Sequence, residues 1–174
     1  MSELQSVGTG GGVRGGSSKL DQVRFFEESA AAARLLGRRA LLLMGKNALP
    51  ANLSEDHFAA EYAPYSDVFP GSAAVVHQGG VGTTAQNLRA GVPQLVMPYA
   101  FDQPDNAARI RRRGVGLSIK RQRYTADRAA RQLDSLLRTP TYADRASAAA
   151  HRIRNQDGVS LACDAIERVM AKLC

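Results

Sequence analysis

Long apolar runs are missing from this sequence. A helix that crosses a bilayer needs about 18 or more consecutive apolar residues, and the 174-residue chain contains no such run. Its first residues also lack the basic flank and apolar core of a secretory signal. We therefore expect a cytoplasmic protein without a transmembrane helix.

Cysteine and histidine are scarce. Cys163 and Cys174 lie too close to the end of the chain to frame a disulfide scaffold, and we expect both to be free thiols. The three histidines, His57, His77 and His151, are far apart, and no cluster of cysteines or carboxylates joins them. No metal site and no cofactor are therefore expected.

Acidic residues are fewer than basic ones, 16 against 23, so the formal net charge is +7. The basic residues cluster at 109–113 and 120–123, but no interleaved aromatic residues and no zinc-finger, RNP or KH pattern accompany them. The favoured interpretation is a solvated basic face, with nucleic-acid binding as an alternative. Such a face would also attract a nucleotide diphosphate over long range.

The first 19 residues are rich in glycine and serine. Their composition predicts a flexible segment, 1–19, ahead of one globular domain, 20–174. Gly10, Gly12 and Gly15 satisfy the pattern G-x-G-x-x-G. Because no convincing strand precedes them, the match carries little weight.

Short apolar runs alternate with helical patterns along the rest of the chain. Strands are predicted at 39–44, 58–62, 73–77, 93–97 and 115–119. Helices are predicted at 21–36, 67–69, 84–90, 104–113, 126–137, 142–154 and 159–173. Solid apolar strands that alternate with helices indicate an α/β fold, a Rossmann-like parallel sheet with helices on both faces.

A glycine-rich turn follows the predicted strand 73–77. Glycines allow a sharp turn and leave backbone N–H groups uncovered, and the free N–H groups of the following helix add a positive dipole end. Such a site favours an anion, and a diphosphate fits it; a tight turn with a capping threonine is the alternative. No lysine follows the glycines, which excludes a Walker loop. The candidate diphosphate-binding residues are His77, Gly79, Gly80, Gly82, Thr83 and Thr84.

Asp102 and Gln103 follow the predicted strand 93–97, one strand along from the glycine turn. A carboxylate accepts two sugar hydroxyls at once, and a primary amide both donates and accepts. Asp102 also suits the N-cap of the next helix, with Pro104 just inside it. Both interpretations stay open, and they are compatible.

These motifs, in their order, resemble the donor-binding box of nucleotide-sugar-dependent glycosyltransferases. The resemblance rests on HQGGVGTT at 77–84, RAGVP at 89–93 and DQP at 102–104 with Asn106. It runs from about Phe25 to Met170 and is greatest to bacterial members of the UDP-glycosyltransferase superfamily, which includes antibiotic, macrolide and sterol glycosyltransferases. The family has the GT-B fold of two Rossmann-like domains, and this chain is similar to the C-terminal, donor-binding half.

The resemblance implies a role for each candidate residue. His77 would contact the diphosphate beside the glycines and threonines, and Asp102 and Gln103 would hold the sugar hydroxyls. Plant members carry a ribose-binding glutamate where Ala85 stands here. The nucleoside-binding residues implied are Tyr62, Tyr65 and Gln86.

The reaction implied is an inverting, metal-independent transfer of a hexose from a UDP- or TDP-sugar to a hydroxyl acceptor. No catalytic residue is expected in this chain, because the family's general base and acceptor pocket belong to the N-terminal domain. The partners implied are the donor and a small-molecule acceptor, with peripheral membrane contact where the acceptor is a lipid. A non-catalytic subunit that needs a separate acceptor-domain partner is an alternative.

Overall fold

A computed structural model describes residues 3–6, 19–47, 53–154 and 157–171 of the protein. Strands and helices alternate over this part of the chain. The strands are β1 (Glu3–Ser6), β2 (Ala40–Leu43), β3 (His57–Ala60), β4 (Ser72–His77), β5 (Gln94–Val96) and β6 (Gly116–Ser118). The α-helices are α1 (Lys19–Leu35), α2 (Tyr65–Val68), α3 (Val81–Ala90), α4 (Gln103–Arg113), α5 (Ala126–Arg138), α6 (Pro140–Arg154) and α7 (Gly158–Met170).

The six strands form one parallel sheet in the order β3-β2-β1-β4-β5-β6. The chain winds outward from β1 to β3 and then returns to the middle of the sheet at β4. In open parallel sheets the ligand crevice lies at this reversal, outside the carboxyl ends of the strands. The predicted Rossmann-like α/β fold is confirmed.

Strand β1 corrects one prediction. Glu3–Ser6 pairs with β2 on one side and β4 on the other, so the segment predicted to be flexible supplies a central strand. The sequence ELQS has no apolar run, so the strand depends on backbone bonds from both neighbours rather than on its own pattern. The glycines at 10, 12 and 15 lie outside the described residues.

Apolar side chains cover both faces of the sheet. Successive residues of a strand point to opposite faces, so Val76 and Leu95 pack against α1 and α5. Val75 and Val96 point the other way, towards the side that α3, α4 and α6 cover. By the same alternation His77 and Gln94 share the face of Val75 and Val96.

Helix α3 begins earlier than predicted, at Val81 instead of residue 84, with Gly80 as its N-cap. It ends at Gly91, whose φ of +80° places it in the left-handed region that glycine favours. The start of α3 therefore lies three residues closer to the end of β4. This shift brings the free N–H groups of the helix directly to the glycine turn.

None of the described helices combines the length and the apolar composition that a bilayer crossing requires. Cys163 is a free, exposed cysteine, whereas Cys174 lies outside the described residues.

Candidate functional site

The imidazole of His77 lies in the interior of the protein, with none of its surface exposed. Its Nδ1 accepts the backbone N–H of Gly79 at 2.9 Å, so its Nε2 carries the proton that is donated to Oε1 of Gln94 at 2.8 Å. Burial lowers the pKa of His77 to about 4, against the opposing effect of the Gln94 bond. His77 is therefore a neutral side chain that fixes the turn.

This geometry does not fit the expected direct contact between His77 and a diphosphate. Both ring nitrogens already have protein partners, and the ring has no path to solvent. The strand alternation is the cause, because it turns the last residue of β4 towards α3 and α4. The sequence places His77 at the strand end but does not reveal on which side its ring lies.

The fold requires glycine at position 79. Its φ is +88°, and a Cβ atom there would lie 2.7 Å from Cγ1 of Val96. Its carbonyl oxygen accepts a bond from Nδ2 of Asn106 at 2.9 Å. Gly79 thus connects β4 to the helix that follows β5.

Gly80 and Gly82 differ from Gly79, because the fold does not require glycine at either. A Cβ atom at each would meet no atom within 4 Å, and neither has a positive φ. No side chain caps α3, and the first helical bond runs from the N–H of Thr84 to the carbonyl of Gly80 at 3.0 Å. The N–H groups of residues 81–83 precede that bond and have no acceptor within the helix, as an anion site at a helix N-terminus requires.

The two threonines of the turn are less accessible than predicted. Thr83 and Thr84 are both buried, and Thr83 lies close enough to Tyr65 to lower the pKa of its hydroxyl, against the larger effect of burial. The Oγ1 of Thr84 has no hydrogen-bond partner within the described part of the chain. Tyr65 stacks on Phe69 with ring centroids 4.7 Å apart, and burial raises its pKa. Tyr65 therefore supports the start of α3 from the side of α2.

Asp102 lies on the exposed loop between β5 and α4, close to the glycine turn. It occupies the N-cap position of α4, but its side chain makes no capping bond to the helix. Its Oδ2 instead accepts Nδ2 of Asn106 at 2.8 Å, the group that also bonds to the Gly79 carbonyl. One amide therefore ties the predicted sugar-binding carboxylate to the predicted phosphate turn.

Gln103 is buried, and its Oε1 accepts the backbone N–H groups of Tyr99 at 2.8 Å and Ala100 at 3.3 Å. The oxygen predicted to hold a sugar hydroxyl is thus engaged in shaping the loop. The amide nitrogen takes no part in these two bonds.

The predicted nucleoside-binding residues lie on the same edge of the sheet. Tyr62 follows β3 and is 78% exposed, and Gln86 is exposed on the second turn of α3. Each follows the carboxyl end of its strand, Tyr62 after β3 and Gln86 after β4, and β2 and β1 lie between these two strands in the sheet. The structure records no hydrogen bond between these two side chains.

Two supporting residues have a role that the sequence reading did not give them. Gln94 orients His77, and Asn106 bridges the two loops. A glutamine inside an otherwise apolar strand is a signal that marks Gln94 in advance. Asn106 stands four residues after Asp102, one helical turn away, which is the spacing that lets their side chains meet.

The fold and the site together define a Rossmann-like α/β domain whose switch point presents a free helix N-terminus beside an exposed carboxylate. This is an arrangement typical of nucleotide-binding proteins. The chain belongs to the family described as "Erythromycin biosynthesis protein CIII-like, C-terminal domain", whose model matches residues 41–160.

Its relatives include glycosyltransferases. The chain is 38% identical over 148 residues to the O-mycaminosyltylonolide 6-deoxyallosyltransferase of Streptomyces fradiae. The match covers 84% of this chain and 34% of that protein. The chain therefore spans about a third of the length of the curated relatives it matches.

Solved structures show the same fold. The glycosyltransferase of kitacinnamycin matches with a TM-score of 0.79 and 26% identity, over 96% of this chain and 43% of that one. Glycosyltransferase VinC, solved in complex with dTDP, matches with a TM-score of 0.77 and 21% identity, over 98% of this chain and 42% of that one.

Proposed function

We propose that this chain is the donor-binding half of an inverting, metal-independent glycosyltransferase that transfers a hexose from a UDP- or TDP-sugar to a hydroxyl acceptor. The observation that carries the proposal is the uncapped N-terminus of α3. Gly80 and Gly82 leave open space there, although the fold does not require glycine at either position. The glycosyltransferase relatives support it, as does the neighbour solved with dTDP.

In this proposal the diphosphate lies against the first turn of α3 and bonds to the backbone N–H groups of residues 81–83. Preorganised dipoles there stabilise the negative charge that develops on the leaving nucleotide diphosphate. The helix N-terminus supplies this charge compensation in place of a metal ion. His77 does not contact the diphosphate, and its neutral ring instead holds the glycine turn in place.

The donor sugar lies next to the diphosphate, at the loop that follows β5. Asp102 has an exposed carboxylate with one oxygen bonded to Asn106, which leaves the other available for sugar hydroxyls. The nucleoside extends the other way, towards Tyr62 and Gln86. The acceptor and the general base belong to the part of the enzyme that this chain does not span.

A ligand panel tests the proposal. The 174-residue chain is melted in the presence of UDP, TDP, GDP, UDP-glucose and TDP-glucose. A ligand at 100 times its dissociation constant stabilises by about 2.7 kcal/mol. For a chain of this size that corresponds to a rise in melting temperature of roughly 5–10 °C. Asp102→Asn, which keeps an acceptor for Asn106, should weaken only the sugar-dependent part of binding. Flat responses across the panel would refute the proposal.

A second candidate is a binding subunit that works with a separate acceptor-domain protein, and α7 is the observation that favours it. All described residues of this helix are exposed. Val159, Ile166, Val169 and Met170 recur at helical spacing on one side, with exposed fractions from 57% to 75%. A contiguous apolar face of this kind is typical of a surface that another protein covers.

The second candidate predicts that activity requires association with a separate acceptor-domain protein through α7. A mixture of this chain with the unmatched part of the Streptomyces fradiae relative should transfer sugar only if the two parts associate. The double variant Ile166→Asp and Val169→Asp should abolish that association while it leaves the melting temperature unchanged, because α7 adds nothing to the core. Association that survives the double variant would argue against α7 as the docking surface.

A further inference from the structure

Phe101 combines two unfavourable features on the loop between β5 and α4. It is the one described residue other than glycine with a positive φ, at +58°. Its side chain is also 73% exposed. Left-handed backbone is costly for a residue with a bulky side chain, and an exposed ring gains nothing from burial in the core.

The surrounding loop holds Phe101 in this conformation. Oε1 of Gln103 accepts the N–H groups of Tyr99 and Ala100, and the backbone N–H of Gln103 returns to the carbonyl of Ala100 at 3.2 Å. These bonds fix the chain on both sides of Phe101. Glycine would fit the same backbone without strain, so stability alone does not favour phenylalanine here.

The place of Phe101 in the loop suggests what its ring contributes. Phe101 precedes Asp102, the exposed carboxylate that Asn106 ties to the glycine turn. A hexose ring presents hydroxyl groups at its rim and C–H groups on its faces, so a carboxylate beside an aromatic ring matches both parts of its surface. No other aromatic side chain stands next to that carboxylate in the sequence.

We infer that Phe101 is a specificity-determining residue of the donor site, whose ring covers the apolar face of the transferred sugar. The inference rests on the proposed function and adds the sugar-facing surface to it. Asp102 selects the sugar through its hydroxyls, and Phe101 selects it through the shape and apolar character of one face. Backbone strain at Phe101 is the cost of presenting the ring at the surface.

Binding constants for the nucleotide and the nucleotide-sugar separate this role from others. Calorimetric titrations of the chain with UDP and UDP-glucose, and with TDP and TDP-glucose, give the factor by which the sugar changes affinity. Phe101→Ala should weaken binding of the nucleotide-sugar by five- to tenfold and leave binding of the nucleotide unchanged. Phe58→Ala, which truncates another exposed phenylalanine on β3, should change neither.

A stability readout distinguishes a sugar-binding ring from a structural one. Phe101→Gly and Phe101→Ala both remove the ring, but only glycine relieves the left-handed backbone. The glycine variant should therefore melt at a higher temperature than the alanine variant, with the same loss of sugar-dependent affinity. A ring needed for folding would instead lower the melting temperature of both variants to a similar degree, and that result would overturn the inference.

The same binding measurements distinguish a failure of this inference from a failure of the proposed function. A wild-type chain that binds neither nucleotide nor nucleotide-sugar would refute the proposed function, and the inference with it. A wild-type chain that binds both, with an unchanged sugar factor in Phe101→Ala, would refute the inference alone. Equal losses for UDP and UDP-glucose would also refute it, because the ring would then act on the nucleotide or on the fold.

Discussion

At the scale of single residues, the turn after β4 is fixed by one glycine and one histidine for different physical reasons. Gly79 is required by its backbone conformation and by the nearness of Val96. His77 is required by its hydrogen bonds, since its ring accepts from Gly79 and donates to Gln94. Substitutions at the two positions should therefore fail in distinguishable ways.

We expect Gly79→Ala to destabilise the protein by about 2–4 kcal/mol, because it adds left-handed strain and a clash with a buried side chain. Gly82→Ala is the matched control, since a Cβ atom there meets nothing and alanine favours a helix. Urea denaturation of both variants measures the difference. Similar stabilities for the two variants would show that the turn does not have the described conformation.

Stability should fall in mild acid because His77 is buried as a neutral ring. Its pKa is about 4 in the folded protein and about 6.5 when the chain is unfolded, so the unfolded chain binds more protons between these values. The contribution is complete above pH 6.5 and is lost as the pH falls towards 4. Between pH 7.5 and pH 5.0 the expected loss is about 2 kcal/mol.

His77→Asn isolates this effect, because an asparagine oxygen can still accept the N–H of Gly79 but does not titrate. The variant should be less stable at neutral pH and lose about 2 kcal/mol less than the wild type between pH 7.5 and pH 5.0. His151→Gln, at an exposed position, should keep the full dependence. An unchanged pH profile in His77→Asn would contradict the buried geometry.

The sequence predicted which elements meet at the glycine turn, but it did not predict the direction in which each side chain points. A glycine turn between a buried strand and a helix is visible as a pattern, and so is an acidic residue after the next strand. The orientation of His77 depends on the face of the sheet to which β4 turns its last residue. The engagement of Gln103 depends on the path of the loop before it, which no local pattern specifies.

At the scale of elements, the proposed function depends on the N-terminus of α3. An acidic side chain near a helix N-terminus stabilises the helix, whereas the same charge repels an anionic ligand. Gly82→Glu should therefore have opposite effects on stability and on binding. We expect a gain of about 0.3–1 kcal/mol in unfolding free energy and at least tenfold weaker binding of UDP or TDP.

Gly82→Gln provides the control for size without charge. It should weaken nucleotide binding less than Gly82→Glu, and the gap between the two should shrink at high salt because the repulsion is screened. Denaturation and calorimetry at two salt concentrations give both quantities. Equal binding by Gly82→Glu and the wild type would place the diphosphate elsewhere.

Elements were predicted well where the chain has a strong apolar period and poorly where backbone pairing decides. Strand β4 has a solid apolar run, and α5 has a clear amphipathic pattern, so both were predicted close to their observed limits. Strand β1 has neither, and its place depends on β2 and β4 on either side. Pairing partners distant in the sequence are the information that a local pattern lacks.

At the scale of the whole molecule, the proposed function assigns the donor site to this chain and the acceptor to the part of the relatives that the chain does not match. The family relatives are about three times as long as the matched part. Holding the two reactants together is worth effective molarities of about 10⁵–10⁸ M, and a general base adds about 10²–10⁴-fold. In the proposed function both contributions come from the part of the enzyme that this chain does not match.

We therefore expect the purified chain to bind UDP-glucose or TDP-glucose without transferring the sugar. Nucleotide diphosphate release should not exceed that of a heat-denatured sample over a day, with or without small hydroxyl acceptors, even when calorimetry shows the donor bound. The Asp102→Asn variant provides a second baseline, since a true turnover must fall when the sugar is held less well. Acceptor-dependent release that scales with the concentration of wild-type chain, and falls in Asp102→Asn, would mean that this half carries its own acceptor site and base.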